Sequence, residues 1–588
     1  MSSRLDSDAL PPRTVEAALI AVLGGLWLGG WLLLSAAAWL AGGAPNGSPI
    51  SLVNPSRLHD LIQRDHGVVL WHLVGAEQVD LWRFWLALAL LLLMLALPVL
   101  LVRRSRSWAR FAEQFTKRRS FVRASTSWAK PSDLRGLRVS ACPTGRFILG
   151  RHKGALFCTE DETSVLVIGP TRSGKTSALV VPNLFNWCGP AIVTSTKSEL
   201  VDITAAHRQS MGPVYVYDPT AELSARYRTV TWSPLAGCDS LDHAWRVAAW
   251  LCAALNQGSN RGDNDWAHWM ESGKLLVAPV LFAAAMTGRS IVDVSTWIHA
   301  FDLVTPLAIL EECFAESSPY AEDACRAMSM LTSVDQRPEK ERGTVFSTVT
   351  RIFSVLNESA VASSAAWNRF NAKEFLERSG TLYLCTPRQS PERVAALFVG
   401  LLMTAVTSAY EIADASASGV LQPPLGLFLD EVANIIPVED LPSLASQGAG
   451  RGILLMSILQ DLSQLRARYG VDRACSVVNN HTCKVVLPGI TDPETVELIS
   501  KLAGQRHVID LQVTHGSDSR TTRSYSSKLQ PVAAPDAVRQ LREGSAMVLY
   551  RGRPPAMIRL ASWYRDSKLR ERSSRHFLRN ADHVTRAA

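Results

Sequence analysis

The sequence predicts an α/β fold preceded by an amino-terminal membrane anchor. Two long uncharged stretches lie near the amino terminus. Further along, a short apolar strand leads directly into a glycine-rich turn, and a later apolar strand ends in two adjacent acids. Functional groups placed at the ends of apolar strands are typical of parallel sheets covered by helices, because ligands bind at the carboxyl ends of such strands.

Length and composition indicate a soluble body of two or three structural units with a small membrane part. The 588 residues exceed what one hydrophobic core usually organises. A content of 47% hydrophobic and 19% charged residues is too apolar for a disordered chain and too polar for a transporter with many spans. The net charge of +8 permits contact with nucleic acid or anionic lipid but is weak evidence for either.

The anchor is predicted within residues 1–105, with spans at about 17–41 and 84–102 and an external loop at 43–81. Both spans are uncharged and long enough to cross a bilayer. Basic residues retained on the cytoplasmic side follow the second span, and they are Arg103, Arg104, Arg106, Arg110, Lys117, Arg118, Arg119 and Arg123. We therefore expect a multi-pass protein of the plasma or inner membrane with both termini in the cytoplasm. The alternative is that one stretch is a buried helix of a soluble domain.

The cysteine distribution agrees with this orientation. None of the ten cysteines lies in the predicted external loop, and no pair has the close spacing that zinc or redox motifs favour. This indicates free, mostly buried thiols in a reducing compartment.

A nucleotide site is predicted directly after the strand at residues 164–168. The strand is followed by G-x-x-x-x-G-K-T, in which glycines let backbone N–H groups point at phosphate oxygens and the next helix presents its positive end. Lys175 would reach the β and γ phosphates of ATP, and the Thr176 hydroxyl would ligate Mg²⁺. The predicted nucleotide-binding residues are Gly169, Pro170, Thr171, Arg172, Ser173, Gly174, Lys175, Thr176 and Ser177.

Two later strand ends supply the remaining predicted groups. The strand at 425–429 ends in Asp430, a second Mg²⁺ ligand, and Glu431, a general base for the attacking water. A strand end capped by solvated acids is the alternative. The strand at 453–459 ends in Gln460, which would sense or orient at the γ-phosphate, and Arg451 lies in a glycine-rich turn just before it. Arg451 is either an arginine finger acting across a subunit interface or a surface arginine.

The order of these features resembles the type IV coupling proteins, the TraG/TraD-type ATPases of conjugation, over most of residues 145–565. Besides the anchor and the glycine-rich turn, the matching motifs are Val181-Pro182-Asn183-Leu184, Thr196-Lys197-Ser198-Glu199-Leu200, Ala205-Ala206-His207-Arg208, Val216-Tyr217-Asp218-Pro219, Trp232-Ser233-Pro234-Leu235, Asp430-Glu431, Gly450-Arg451-Gly452 and Gln460-Asp461-Leu462-Ser463-Gln464-Leu465. One departure is that Ser195 and Thr196 precede Lys197 where many members carry an acid.

The resemblance implies a RecA-like P-loop NTPase domain interrupted by an all-α domain. We expect the first part of the ATPase domain at 106–240, the all-α insertion at 241–365, the second part at 366–565 and a basic carboxy-terminal tail at 566–588. It also implies a homo-oligomer, expected to be a hexamer, that handles single-stranded DNA without sequence preference.

The function predicted from the resemblance is that of a coupling ATPase. It would recruit relaxase-bound DNA or effector proteins and pass them to the components of a type IV secretion channel. One alternative is an FtsK-like pump of double-stranded DNA, although such pumps usually carry a carboxy-terminal winged-helix module. Another is a membrane scaffold that binds ATP without motor activity.

Overall fold

A computed structural model describes residues 29, 31–42, 80, 82–92, 127–254, 263–314, 319–386, 393–436, 438, 441–515 and 521–573. The chain forms two compact units, Met1–Arg123 and Ala124–Ala588.

The amino-terminal unit contains two short apolar helices, α1 (Trp31–Leu40) and α2 (Trp82–Leu92). They share a buried cluster that is mostly alanine, made of Ala37, Ala38, Ala41, Phe84 and Ala87. Large apolar side chains lie on the exposed surface, and they include Leu32, Trp39, Trp82, Trp85, Leu86 and Leu90. Small residues at the contact and large apolar residues outside are typical of membrane helix pairs. The rest of both predicted spans apart from Gly29 and Ala41, and the loop 43–81 apart from Asp80, lie outside the described residues.

The larger unit contains both strands and helices. Its strands are β1 (Arg138–Val139), β2 (Ile148–His152), β3 (Ala155–Cys158), β4 (Val165–Ile168), β5 (Ala191–Ser195), β6 (Val214–Tyr217), β7 (Thr381–Cys385), β8 (Leu425–Leu429), β9 (Ile453–Leu459), β10 (Cys483–Val486), β11 (Gln505–His515), β12 (Thr521–Pro531), β13 (Ser545–Tyr550) and β14 (Ala556–Arg559).

Its α-helices are α3 (Val181–Asn186), α4 (Glu199–Gln209), α5 (Leu241–Ala253), α6 (Asp263–Met286), α7 (Ile291–His299), α8 (Val304–Cys313), α9 (Ala321–Asp335), α10 (Glu339–Phe353), α11 (Ser359–Ala366), α12 (Ala372–Glu377), α13 (Ala395–Ala415), α14 (Val432–Ile435), α15 (Leu441–Gly450), α16 (Leu462–Asn480), α17 (Pro493–Ala503), α18 (Pro535–Arg539) and α19 (Ser567–Ser573). A π-helical segment, Lys175–Val180, leads into α3.

Twelve of the described strands form one mixed sheet in the order β1-β3-β2-β14-β13-β10-β4-β9-β8-β5-β7-β6. The seven strands from β10 to β6 are parallel to one another. The other five add an antiparallel flank beyond β10. The α/β fold is therefore confirmed, and β11 and β12 form a separate two-stranded hairpin.

Both faces of the parallel strands are buried, which explains their continuous apolar sequences. Alternate residues of β4 enter different cores: Val165 and Val167 pack on one face, and Leu166 and Ile168 pack on the other. The exact alternation of strand side chains thus lets one short segment join two cores.

Helices α5–α12 lie between β6 and β7 along the chain, although these two strands are neighbours in the sheet. Leu276 and Phe282 of α6 belong to the same core cluster as Ile192 of β5 and Leu427 of β8. The inserted helices and the sheet therefore share one hydrophobic core. No break in this core marks the boundaries of the all-α insertion, so these boundaries stay a prediction.

Two described helices are long and apolar enough to cross a membrane, namely His268–Met286 within α6 and Ala395–Ala415, which is α13. In the most apolar 18-residue window of each helix, 61% and 56% of the window, respectively, is buried inside this unit. Packing into the core described above therefore accounts for their apolar character.

A matched pair of helical glycines tests this packing. A Cβ at Gly400 of α13 would lie 2.5 Å from Cη2 of the buried Trp232, whereas a Cβ at Gly343 of α10 meets nothing within 4 Å. We expect Gly400→Ala to destabilise the protein by about 1–3 kcal/mol, because Trp232 is fixed in the core. Gly343→Ala should stabilise it by about 0.5–1 kcal/mol through helix propensity.

The measurement is the melting temperature of the full-length protein in detergent. Equal shifts for the two variants would contradict the described contact between Gly400 and Trp232.

Candidate active site

Three neighbouring parallel strands bring the predicted residues to one edge of the sheet. Ile168 of β4 is paired with Leu459 of β9, and Leu429 of β8 is paired with Ser457 of β9. The next residues along these strands are Gly169, Gln460 and Asp430. Since parallel strands end on the same side, the glycine-rich turn, the amide and the acids share one crevice.

The glycine-rich turn depends on two glycines for different reasons. A Cβ at Gly169 would lie 2.6 Å from the Cβ of Leu487, so the close approach of the residue that follows β10 excludes a side chain. Gly174 has a φ of +93°, which lies in the left-handed region where glycine is favoured. The turn then leads into the helical segment at Lys175, whose first amide groups have no partner within the helix and can receive an anion.

The Lys175 ammonium is buried in this crevice and donates a 2.9 Å hydrogen bond to the Gly169 carbonyl. Burial lowers the pKa of Lys175, while the charges of Asp430, Glu431 and Asp461 act in the opposite direction. A lysine held by a single carbonyl among three carboxylates can exchange that bond for a stronger one to phosphate oxygens.

Asp430 fits a role as a metal ligand. Burial raises the pKa of Asp430 to about 6, and the positive charge of Lys175 opposes the rise. Its Oδ1 atom is buried without a hydrogen-bond partner among the described residues. A buried, unsatisfied carboxylate oxygen is costly unless a ligand completes it, and oxygen ligands of this kind suit Mg²⁺. Thr176, in the first turn after the glycine-rich loop, is the residue that would share the ion.

Glu431 and Gln460 form a second pair at the same edge. The Gln460 Nε2 donates to Glu431 Oε1 at 3.4 Å. Glu431 itself has a φ of 50° and a ψ of 46°, a left-handed conformation that a non-glycine residue rarely adopts. This arrangement is suited to hydrolysis, because the carboxylate can accept a proton from a water molecule that the amide orients.

Arg451 lies at the opposite edge of the sheet. It precedes β9, whereas Gln460 follows β9, and the seven residues of this strand span roughly 20 Å. The Arg451 guanidinium forms an ion pair with Asp414 at the end of α13. Within one chain, the structure therefore does not bring Arg451 together with the other predicted residues.

Comparison with known proteins identifies the family. Residues 117–584 match the family described as type IV secretory system conjugative DNA transfer. The chain belongs to this family. The resemblance found in the sequence motifs is thereby confirmed.

Several relatives are conjugation proteins. The chain is 26% identical over 447 residues to the conjugal transfer protein TraG of Escherichia coli, covering 70% of this chain and 68% of that one. It is 26% identical over 426 residues to the protein VirD4 of Rhizobium rhizogenes, covering 69% and 59%. A second Escherichia coli TraG is 25% identical, covering 67% and 63%. The match therefore leaves about a third or more of these relatives uncovered.

Solved structures of the family show the same fold. The unbound bacterial conjugative coupling protein TrwBdeltaN70 superimposes with a TM-score of 0.55 at 19% identity, covering 75% of this chain and 93% of that one. Plasmid coupling protein TrwB in complex with the ATP analogue ADPNP gives a TM-score of 0.55 at 18% identity, covering 76% and 95%.

Two further residues of this family member face the site although the sequence predicts no role for them. Lys197 follows β5, next to β8, and its charge opposes the rise in the pKa of Asp430. Asp461 caps α16 by accepting a 3.2 Å hydrogen bond from the Gln464 amide, and its charge acts on Lys175. Both follow apolar strands, which is the signal that would have indicated them.

The backbone conformation of Glu431 gives a prediction about stability. We expect Glu431→Gly to raise the melting temperature. Glycine adopts the left-handed conformation without steric strain, and the strain that it removes is worth about 1 kcal/mol. Glu431→Gln keeps the Cβ and should leave the melting temperature close to the wild-type value. Thermal unfolding of the nucleotide-free proteins measures this, and a lower melting temperature for the glycine variant would count against the described conformation.

Proposed function

We propose that this chain is a membrane-anchored coupling ATPase that recruits relaxase-bound single-stranded DNA or effector proteins and drives or gates their transfer into a type IV secretion channel. The supporting observation is the convergence of Lys175, Asp430, Glu431 and Gln460 at one sheet edge, in a chain of the conjugative DNA transfer family. The proposed reaction is hydrolysis of ATP.

The predicted residues fit ATP and Mg²⁺. Related TrwB structures are described in complex with ADPNP and with ADP and Mg²⁺. Residues 169–177 would hold the triphosphate, and Thr176 and Asp430 would hold Mg²⁺. When bound, the ion would neutralise negative charge on the phosphate oxygens. Lys175 would leave the Gly169 carbonyl for the β and γ phosphates. Glu431 would then accept a proton from water that Gln460 orients.

The amino-terminal unit supports a position in the membrane. Its two helices contact each other through small residues and expose large apolar ones, which is unfavourable in water and favourable in lipid. A multi-pass protein of the plasma or inner membrane with cytoplasmic termini is the proposed location.

Assembly into a ring, expected to be a hexamer, follows from the family resemblance and gives Arg451 a possible target. In a ring with heterologous contacts, one surface of each subunit binds a different surface of its neighbour. Arg451 of one subunit would then lie beside the nucleotide of the next. DNA contact would then be to phosphates and independent of sequence.

The test of function is ATP turnover by the full-length protein in nanodiscs, with and without single-stranded or double-stranded DNA. We expect single-stranded DNA to stimulate turnover. Lys175→Ala should reduce turnover about 100-fold or more, because the charge on the phosphates is no longer balanced. The exposed Lys373→Ala is the matched control and should keep the wild-type rate.

Each alternative function has its own outcome. Stimulation by double-stranded DNA alone would favour an FtsK-like pump. Binding of ATP without turnover, with or without DNA, would favour a scaffold and contradict the proposal.

Arg451 is tested by mixing two inactive variants. Arg451→Ala alone should reduce turnover at least about 100-fold if the guanidinium balances charge on the neighbour's nucleotide. An equal mixture with Lys175→Ala should recover roughly a quarter of the wild-type rate, the fraction of interfaces at which both intact residues meet. If the mixed oligomers form and stay inactive, Arg451 does not act across the interface.

A further inference from the structure

A basic patch lies on the antiparallel flank of the sheet and consists of the exposed residues Arg151, Lys153, Arg539, Arg542 and Arg559. Arg559 of β14 is paired directly with Arg151 of β2 in the sheet register, so their side chains lie on the same face. Lys153 stands in the turn that joins β2 to β3. Like charges directly opposite each other are destabilising in a sheet, and an anion bound to both would remove the repulsion.

Two of these arginines extend the basic patch along the neighbouring segment. Arg539 is the last residue of α18, and Arg542 lies in the turn before β13. The Arg542 carbonyl accepts a 3.0 Å hydrogen bond from the Ser545 amide, and Ser545 of β13 is paired with Arg559. The backbone therefore holds the α18 segment beside the pair of arginines on β2 and β14.

The charge of the basic patch is not neutralised by ion pairs in the part of the chain that the structure describes. None of its five side chains pairs with a described carboxylate, and the Arg151 guanidinium instead donates to the Gly154 carbonyl at 3.2 Å. The exposed acids of the α18 segment, Asp536 and Glu543, are outnumbered by the five basic groups. Guanidinium groups present planar sets of donors that match phosphate oxygens. The basic patch therefore suits a ligand that carries several phosphates.

The loop that follows β10 connects the basic patch to the glycine-rich turn. The Arg539 carbonyl accepts a 3.3 Å hydrogen bond from the Gly489 amide. In the same loop, the Cβ of Leu487 would lie 2.6 Å from a Cβ at Gly169, and a Cβ at Gly489 would lie 3.3 Å from Cγ of Pro170. One short loop thus contacts both the phosphate-binding turn and α18.

We propose that the basic patch binds the phosphodiester backbone of single-stranded DNA without reading its bases. This proposal rests on the proposed function, in which a member of the conjugative DNA transfer family carries DNA, and assigns the DNA a surface outside the nucleotide crevice. Contacts of arginine and lysine with phosphates are independent of base sequence. Anionic lipid offers phosphates as well. The contact with the loop after β10 favours DNA, because a substrate moved by hydrolysis has to be linked to the nucleotide site.

The experiment measures the affinity of the full-length protein, in nanodiscs of phosphatidylcholine, for a labelled oligothymidylate over a range of salt and without nucleotide. Each phosphate contact on a single strand adds about 0.7 to the slope of log affinity against log salt concentration. Joint Arg151→Gln and Arg559→Gln should therefore reduce the slope by about 1.4 and weaken binding roughly tenfold at about 0.1 M salt. Lysine at both positions keeps the charge and should keep the slope.

A matched control removes the same charge outside the basic patch. Lys340 and Lys373 are exposed on α10 and α12, and their joint substitution by glutamine should leave the slope at the wild-type value. The glutamine variant of Arg151 and Arg559 should melt at or above the wild-type temperature, because a like-charge pair is removed. Weaker binding then cannot come from unfolding.

Three outcomes would overturn the assignment. The first is an unchanged slope for the variant of Arg151 and Arg559, and the second is an equal loss in the lysine control. The third is co-flotation of the nanodiscs with phosphatidylglycerol vesicles that depends on both arginines while DNA binding does not, which would assign the basic patch to lipid. A wild-type protein that binds no single-stranded DNA would instead contradict the proposed function, and this site with it.

Discussion

The buried ammonium of Lys175 is the interaction on which the arrangement of the site depends. A buried positive charge is costly unless partners surround it, and here one carbonyl and three carboxylates do so. These partners come from the turn after β4, the end of β8 and the start of α16, which are far apart in the chain. Only the parallel pairing of β4, β9 and β8 brings these partners to one edge. The balance of charge around Lys175 therefore depends on the sheet topology.

The helix that follows the glycine-rich turn, α3, is fixed by hydrogen bonds to other elements, one set through its own Asn183 side chain and another at its carboxyl end. Asn183 joins it to Ile148 of β2. At its carboxyl end, the Phe185 carbonyl accepts from His207 at 3.0 Å and from Arg572 at 2.6 Å. Basic groups at this end of a helix are favourable because unpaired carbonyls carry partial negative charge. Arg572 belongs to α19, in the segment that the sequence predicts as a basic tail, so this part of the segment is folded against α3.

The parallel strands of the site could be predicted from the sequence. Both of their faces are buried, so their residues form continuous apolar segments. Strands β8 and β9 begin and end where the sequence indicates, since each apolar segment stops abruptly at a polar side chain. The antiparallel flank and the β11–β12 hairpin were not predicted, because their short or alternating sequences give weak signals. The left-handed backbone of Glu431 could not be predicted either, since strain of this kind arises from tertiary packing and glutamate has no preference for it.

The position of Arg451 follows from the same topology and restricts what it can do. A residue before β9 and a residue after β9 lie at opposite edges of a parallel sheet, whatever their separation in sequence. A guanidinium at the amino edge is too far from the Lys175 crevice of its own chain to touch a nucleotide there. Any contribution of Arg451 to hydrolysis therefore requires a second copy of the chain, and the ion pair with Asp414 would have to break for the guanidinium to reach that copy's phosphates.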